Sequence, residues 1–176
     1  MSGHSKWSKI KHKKAATDAK KSKVFSKIVR FIAVESKKAG GDVNAPSLRL
    51  AIEKGRAANM PAENIERAVA KGRAGEDAAM EPVLYETYGP GGVAVLVEGL
   101  TASRNRTASE VKHLLSTHGA ALAEPGAAAW AFTKSRDGWS PTATVEISDE
   151  DADRLHALVD ALEEHDDVQD VYTNAA

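Results

Sequence analysis

Between Met1 and Lys23 the chain carries eight lysines against a single acid, Asp18. Such a strip cannot be a buried core, because each ammonium would lose its hydration without a partner carboxylate. It must face water or an anion, and the anion that matches a long positive strip is a phosphate backbone. His4, Trp7 and His12 are set among the lysines. Their rings can stack on bases or sugar faces, whereas lysine supplies sequence-blind phosphate contact. The candidate nucleic-acid-binding residues are therefore His4, Lys6, Trp7, Lys9, Lys11, His12, Lys13, Lys14, Lys20, Lys21, Lys23, Lys27 and Arg30. Lysine predominates over arginine here, so the strip is expected to position the protein on its target rather than read bases.

The net charge of −1 conceals a strong segregation. Residues 1–75 hold 18 Lys and Arg against 6 Asp and Glu, a balance of +12, whereas residues 76–176 hold 6 against 19, a balance of −13. An asymmetry of this kind joins a basic nucleic-acid or membrane-binding module to an acidic one. The absence of cysteine excludes disulfides, zinc-thiolate sites, iron–sulfur clusters and a cysteine nucleophile. No apolar run approaches the length of a membrane span, and the N-terminus lacks the apolar centre of a secretory signal. The expected location is the cytoplasm, with no membrane partner.

From Ala15 to Lys38 the spacing predicts one helix, with Val24, Phe25, Ile28, Phe31 and Ile32 recurring at three- and four-residue steps and lysines between them. Gly40-Gly41 should end it. Pro46 to about Asn59 and Pro61 to about Lys71 read as two shorter helices, each with proline where the first turn tolerates it, and Gly72 reads as a stop. The polar run from Arg73 to Pro82 marks the charge reversal and the expected boundary between a basic helical domain, 1–78, and an acidic α/β domain, 79–176. Beyond it the pattern becomes alternating. Val83–Tyr88 and Val93–Glu98 should be strands around a Gly89–Gly92 turn. A capping box at Thr107–Glu110 should open a helix, followed by strands over 128–133 and 142–147 around a loop from Lys134 to Pro141. A helix capped from Ser148 and a strand over Val168–Thr173 close the pattern. The expected class is α+β, with a ferredoxin-like split βαβ, antiparallel-rich sheet domain after the three helices.

Other motifs carry less. Gly89-Pro-Gly-Gly92 lacks the Lys-Ser/Thr of a phosphate loop and does not open a helix. The six histidines show no metal-ligand spacing, so no metal or other cofactor is expected. The carboxylates from Asp149 to Asp170 form a helix start and a solvated face rather than a converging pair, and an enzyme is not expected. Arg104 and Arg106 offer a possible second nucleic-acid contact from the acidic domain.

Gly3-His4-Ser5-Lys6-Trp7, Ile10 to Ala16, Asn59-Met60-Pro61 with Asn64 to Ala68, Tyr85-Glu86 with Tyr88 to Gly92, Asn105-Arg106-Thr107 and the terminal Asp166 to Tyr172 together resemble the YebC/PmpR family, which includes the mitochondrial translational activator of cytochrome oxidase subunit I. The resemblance implies a helical N-terminal domain, α/β domains after it, and a non-enzymatic factor. It implies binding either to ribosomal RNA or tRNA on the ribosome, as a translational activator, or to DNA, as a transcriptional regulator. The chain departs from the family in one respect: only Lys134 to Pro141 stands where members carry an inserted α/β domain. A monomer that binds nucleic acid and the ribosome is the expected form, with the DNA-binding regulator as the alternative.

Overall fold

A computed structural model describes residues 5–12, 18–75 and 79–176. The chain forms two compact units, one made of Met1–Ala15 with Pro82–Ala176 and the other of Ala16–Glu81. Together the described residues form six α-helices and antiparallel sheets, the α+β class expected.

The helical unit contains α2 (Asp18–Lys38), α3 (Pro46–Ala57) and α4 (Ala62–Ala74). Ile32, Leu48, Ala51, Ile52, Met60, Ile65, Ala68 and Val69 close its core, and Phe25, Ile28 and Phe31 pack against it. These are the apolar positions of the three- and four-residue periodicity, which is why one face of α2 is buried. Gly40 and Gly41 end α2 with positive φ, as their spacing predicts. Gly72 does not end α4; it lies inside the helix, and Gly75 in the left-handed conformation is the cap. A Cβ at Gly72 would strike the carbonyl oxygen of Ala33 and the Ser36 side chain, so glycine here allows α4 to lie against α2. At the same crossing the Ser36 hydroxyl donates to the Val69 carbonyl at 2.6 Å.

The sheet unit is built on three strands, β1 (Glu81–Tyr88), β2 (Ala94–Thr101) and β5 (Val168–Thr173), in the order β1-β2-β5. β2 and β5 pair antiparallel from Val95↔Thr173 to Glu98↔Asp170, with a register shift before Gly99↔Val168. Because β2 is central and covered on both faces, it reads as a continuous apolar run. Val93, Val95 and Val97 face α5 (Arg104–Thr117) and α6 (Asp149–Glu164) through Val111, Leu115, Leu155, Leu158 and Leu162. Ala94 and Leu96 face the other way, onto Ala128, Ala131 and Phe132.

That second face is where the sequence pattern misleads. The segment expected to be a strand over 128–133 forms a 3-10 turn at Ala129–Ala131, and the expected loop instead carries a hairpin of β3 (Phe132–Ser135) and β4 (Gly138–Pro141). The expected strand over 142–147 is reduced to one parallel bridge, Val145↔Ala175. The split βαβ pattern thus gives a three-stranded sheet backed by two helices and covered by a small hairpin. Two strand glutamates explain the displacement. Glu98 accepts from the Trp139 indole N–H at 2.8 Å and pins the hairpin. Glu86 accepts from the backbone N–H groups of Gly126 at 2.7 Å and of Ala128 and Ala129 at 2.8 Å each, which curls the chain there.

Burial alone would raise the Glu86 pKa, but these three donors hold it below the usual carboxylate value. A depressed native pKa contributes stability above the unfolded value, which is lost as pH falls through the native one. Replacing Glu86 with Gln should remove about 2 kcal/mol, since the amide NH2 cannot accept from the donors the second carboxylate oxygen serves. Urea unfolding at pH 7 and pH 4 checks this: the gap between wild type and variant should shrink at the lower pH.

Candidate nucleic-acid interface

The 21 residues of α2 include Lys20, Lys21, Lys23, Lys27, Arg30, Lys37 and Lys38 against two acids, Asp18 and Glu35. At 100° per residue, Lys20, Lys23, Lys27, Arg30 and Lys37 fall on the side of the helix opposite Phe25, Ile28 and Ile32. Those apolar residues belong to the core, so the cationic side points outward. Lys20, Lys21 and Lys37 are exposed, and Lys23, Lys27 and Arg30 are half-buried. The stripe from residue 20 to residue 37 is about 26 Å long. Glu35, buried beside it, is held by the Lys38 ammonium at 2.9 Å, so Lys38 is committed within the fold. The Lys54 ammonium sits 5.4 Å from the centre of the Phe31 ring, a cation–π contact that holds α3 against α2.

The beginning of the lysine strip behaves differently. Residues Lys6–His12 form a short helix, α1, which belongs to the sheet unit and packs on α6. By contacts α1 groups with the sheet unit, although in sequence it precedes the basic helices. Trp7 is only 6% exposed and joins the core that contains Val95, Leu155 and Leu158, with Ile10 packed beside it. Its ring faces are enclosed, so the stacking role expected of it has no surface to act on. The Lys6 ammonium is bonded to Asp153 at 2.5 Å, and this hydrogen bond holds its pKa above the ordinary lysine value. The Ser5 hydroxyl donates to the Ala176 carbonyl at 3.0 Å. Lys9 and Lys11 are exposed on α1. His4, Lys13, Lys14 and the side chain of His12 lie outside the described residues.

The two arginines proposed as a second contact sit in the first turn of α5, which starts at Arg104 after Ser103 rather than at Thr107. The Thr107 hydroxyl is buried, bonded to Thr101 and, at 2.7 Å, to Asp167. Arg106 donates to the same buried carboxylate at 3.0 Å, and this bond keeps its guanidinium more firmly charged. Arg104 lies 3.5 Å from the Pro82 carbonyl. Arg106 is thus half-exposed but committed within its own unit.

Glu110, His165 and Asp167 come together around that pair, with one potential ligand atom from each within 4.8 Å of the others. The hydrogen bonds argue against a cation there. The Asp167 backbone N–H donates to His165 Nδ1 at 3.1 Å, which places the ring proton on Nε2, facing Glu110 at 2.6 Å. Neither ring nitrogen then offers a lone pair, and the near oxygen of Asp167 already receives Arg106 and Thr107. Glu110 lies 55 residues before His165 in sequence, so no spacing rule joins it to the His165–Asp167 pair.

The described residues thus form a basic helical unit with one cationic side and an acidic sheet unit. The chain belongs to the TACO1/YebC family: its N-terminal domain model matches residues 5–75, and the model of its second and third domains matches residues 80–137 and 133–175. A "Probable transcriptional regulatory protein" from Chloroherpeton thalassium is 39% identical over 237 aligned residues, covering 99% of this chain and 95% of that protein. One of the same description from Kosmotoga olearia is 48% identical over 173 residues, 97% of this chain and 68% of that protein. The crystal structure of a conserved hypothetical protein from Aquifex aeolicus superposes with a TM-score of 0.81 at 34% identity, covering 98% of this chain and 97% of that one. The 237 aligned positions exceed the 176 residues present by 61. The two matched pieces of the second model meet at residues 133–137. Strand β3 and the turn after it therefore stand where the family carries its additional domain, and the chain is a short form.

Proposed function

We propose that this protein is a non-enzymatic regulatory factor that binds RNA phosphates on the ribosome through the outward side of α2, with Lys20, Lys23, Lys27 and Arg30 as the contacts. It acts in translation, needs no cofactor and works as a cytoplasmic monomer. The observation that carries this reading is the single-sided cationic stripe, whose length suits several successive phosphates and whose lysines suit backbone contact over base reading. Arg104 is a secondary contact in this reading.

The second reading is a duplex DNA regulator, favoured by the names of the relatives. α3 and α4 are joined by only Ala58–Pro61, a connection of helix-turn-helix length. In such a motif the start of the second helix enters the major groove. The start of α4 carries Glu63 and Glu66, both exposed, which would meet phosphates with like charge. The geometry thus favours RNA.

Co-sedimentation with ribosomes, set beside titration of random duplex DNA at physiological salt, separates the two. Ribosome association with weak, sequence-indifferent duplex binding is expected. For about six phosphates, log K should fall against log salt with a slope of roughly −4 to −5. Sequence-preferring duplex binding without ribosome association would reverse the order, and a salt-independent affinity would remove the electrostatic basis of both.

A further inference from the structure

The sheet unit displays one large aromatic surface that neither its core nor the cationic stripe explains. Trp130 is 64% exposed, and Tyr88 beside it is 40% exposed. The Trp130 indole N–H donates to the Tyr88 hydroxyl at 3.0 Å, and that hydroxyl donates to the Ala127 carbonyl. Trp130 projects from the 3-10 turn whose backbone N–H groups are gathered by the buried Glu86 carboxylate. Ala128 and Ala131, on either side of it, are fully buried. The exposed ring is thus held by a rigid, hydrogen-bonded support, with its orientation fixed by Tyr88.

The hydrogen bonds also restrict what can occupy this surface. A proline-rich or extended peptide on a Trp-Tyr pair is held partly by the indole N–H and phenol O–H, which donate to its carbonyls. Here both are already spent within the unit, and only ring faces remain. A ring face without free donors suits a flat partner held by stacking, and an unpaired nucleobase is such a partner regardless of its identity. A paired base has its faces covered by its neighbours in the stack.

We infer that Trp130, oriented by Tyr88, is a stacking site for an unpaired base of a single-stranded nucleic acid. The inference rests on the nucleic-acid reading above and adds a preference for single strands. Neither ring carries charge, so this site should leave the salt slope untouched.

Fluorescence anisotropy with a mixed-sequence 12-nucleotide single-stranded RNA and a duplex of equal length tests it. Trp130→Ala should weaken single-strand binding about tenfold, with unchanged salt slope and unchanged duplex affinity. Trp130→Phe should retain most of the affinity, and the exposure of the ring predicts little change in melting temperature for either variant. Equal affinities of wild type and Trp130→Ala for the single strand would overturn the inference while leaving the phosphate reading intact. So would equal losses on single strand and duplex. A loss confined to ribosome co-sedimentation, with none on free RNA, would assign the surface to a ribosomal protein and overturn it as well. Failure of the wild-type protein to bind either oligonucleotide would overturn both readings together.

Discussion

Replacing Lys20, Lys23, Lys27 and Arg30 together with glutamine should lower affinity for single-stranded RNA about a hundredfold at 0.15 M salt. Each phosphate contact on a single strand contributes about 0.7 to the slope of log K against log salt, so four contacts lower the slope by about 3 and the affinity by about two decades at that salt. Glutamine has nearly the helix propensity of lysine and arginine, so α2 should persist and circular dichroism should be unchanged. Replacing Asp149, Glu150, Glu163 and Glu164 of α6 with their amides should not weaken binding. A loss below fivefold in the α2 variant would show that the stripe is only a solvated surface.

Trp7→Ala should destabilise the sheet unit by about 3–5 kcal/mol, the range for truncating a large buried aromatic. Its melting temperature should fall by more than about 10 °C. Trp7→Phe should recover much of this. The buried indole N–H meets no acceptor among the described residues, so removing it abandons no hydrogen bond. The stability change should be independent of salt, because the interaction is apolar. Unchanged stability together with weaker RNA binding would return Trp7 to a stacking role and contradict its burial.

These two variants also show where the sequence was readable. α2 was legible because Phe25, Ile28 and Ile32 repeat at the helical period over about two turns, and the lysines around them complete the pattern. The cationic side of the helix follows from the same arithmetic. Trp7 was not, because α1 spans seven residues and offers only Trp7 and Ile10 as a stripe. What fixes its place is far away: Asp153 lies 147 residues from Lys6, and Ala176 lies 171 from Ser5. Local lysine density pointed outward, while a single apolar side chain pointed in and decided the packing. Glu86 was hidden in the same way. It reads as the polar member of an alternating strand, yet its partners are backbone groups 40 to 43 residues on, and backbone groups carry no sequence signature. Strand over 128–133 failed for that reason, since the apolar run there is buried by a turn instead of by a ladder. The family resemblance, in contrast, rested on short motifs that survive without any such long-range knowledge.

The docking of α1 on α6 has a consequence for the other unit. Residues Ala16–Glu81 leave from and return to the same folded body, so this unit is a guest inserted in a host. When the guest unfolds alone, its 66 residues form a ring closed at both ends, not a free tail. Closing a loop of that length removes about 4 kcal/mol of conformational freedom from the denatured chain. Each knob of apolar packing around Trp7 therefore restrains the unfolded ensemble of the three basic helices, and undocking α1 would loosen a domain whose own contacts had not changed.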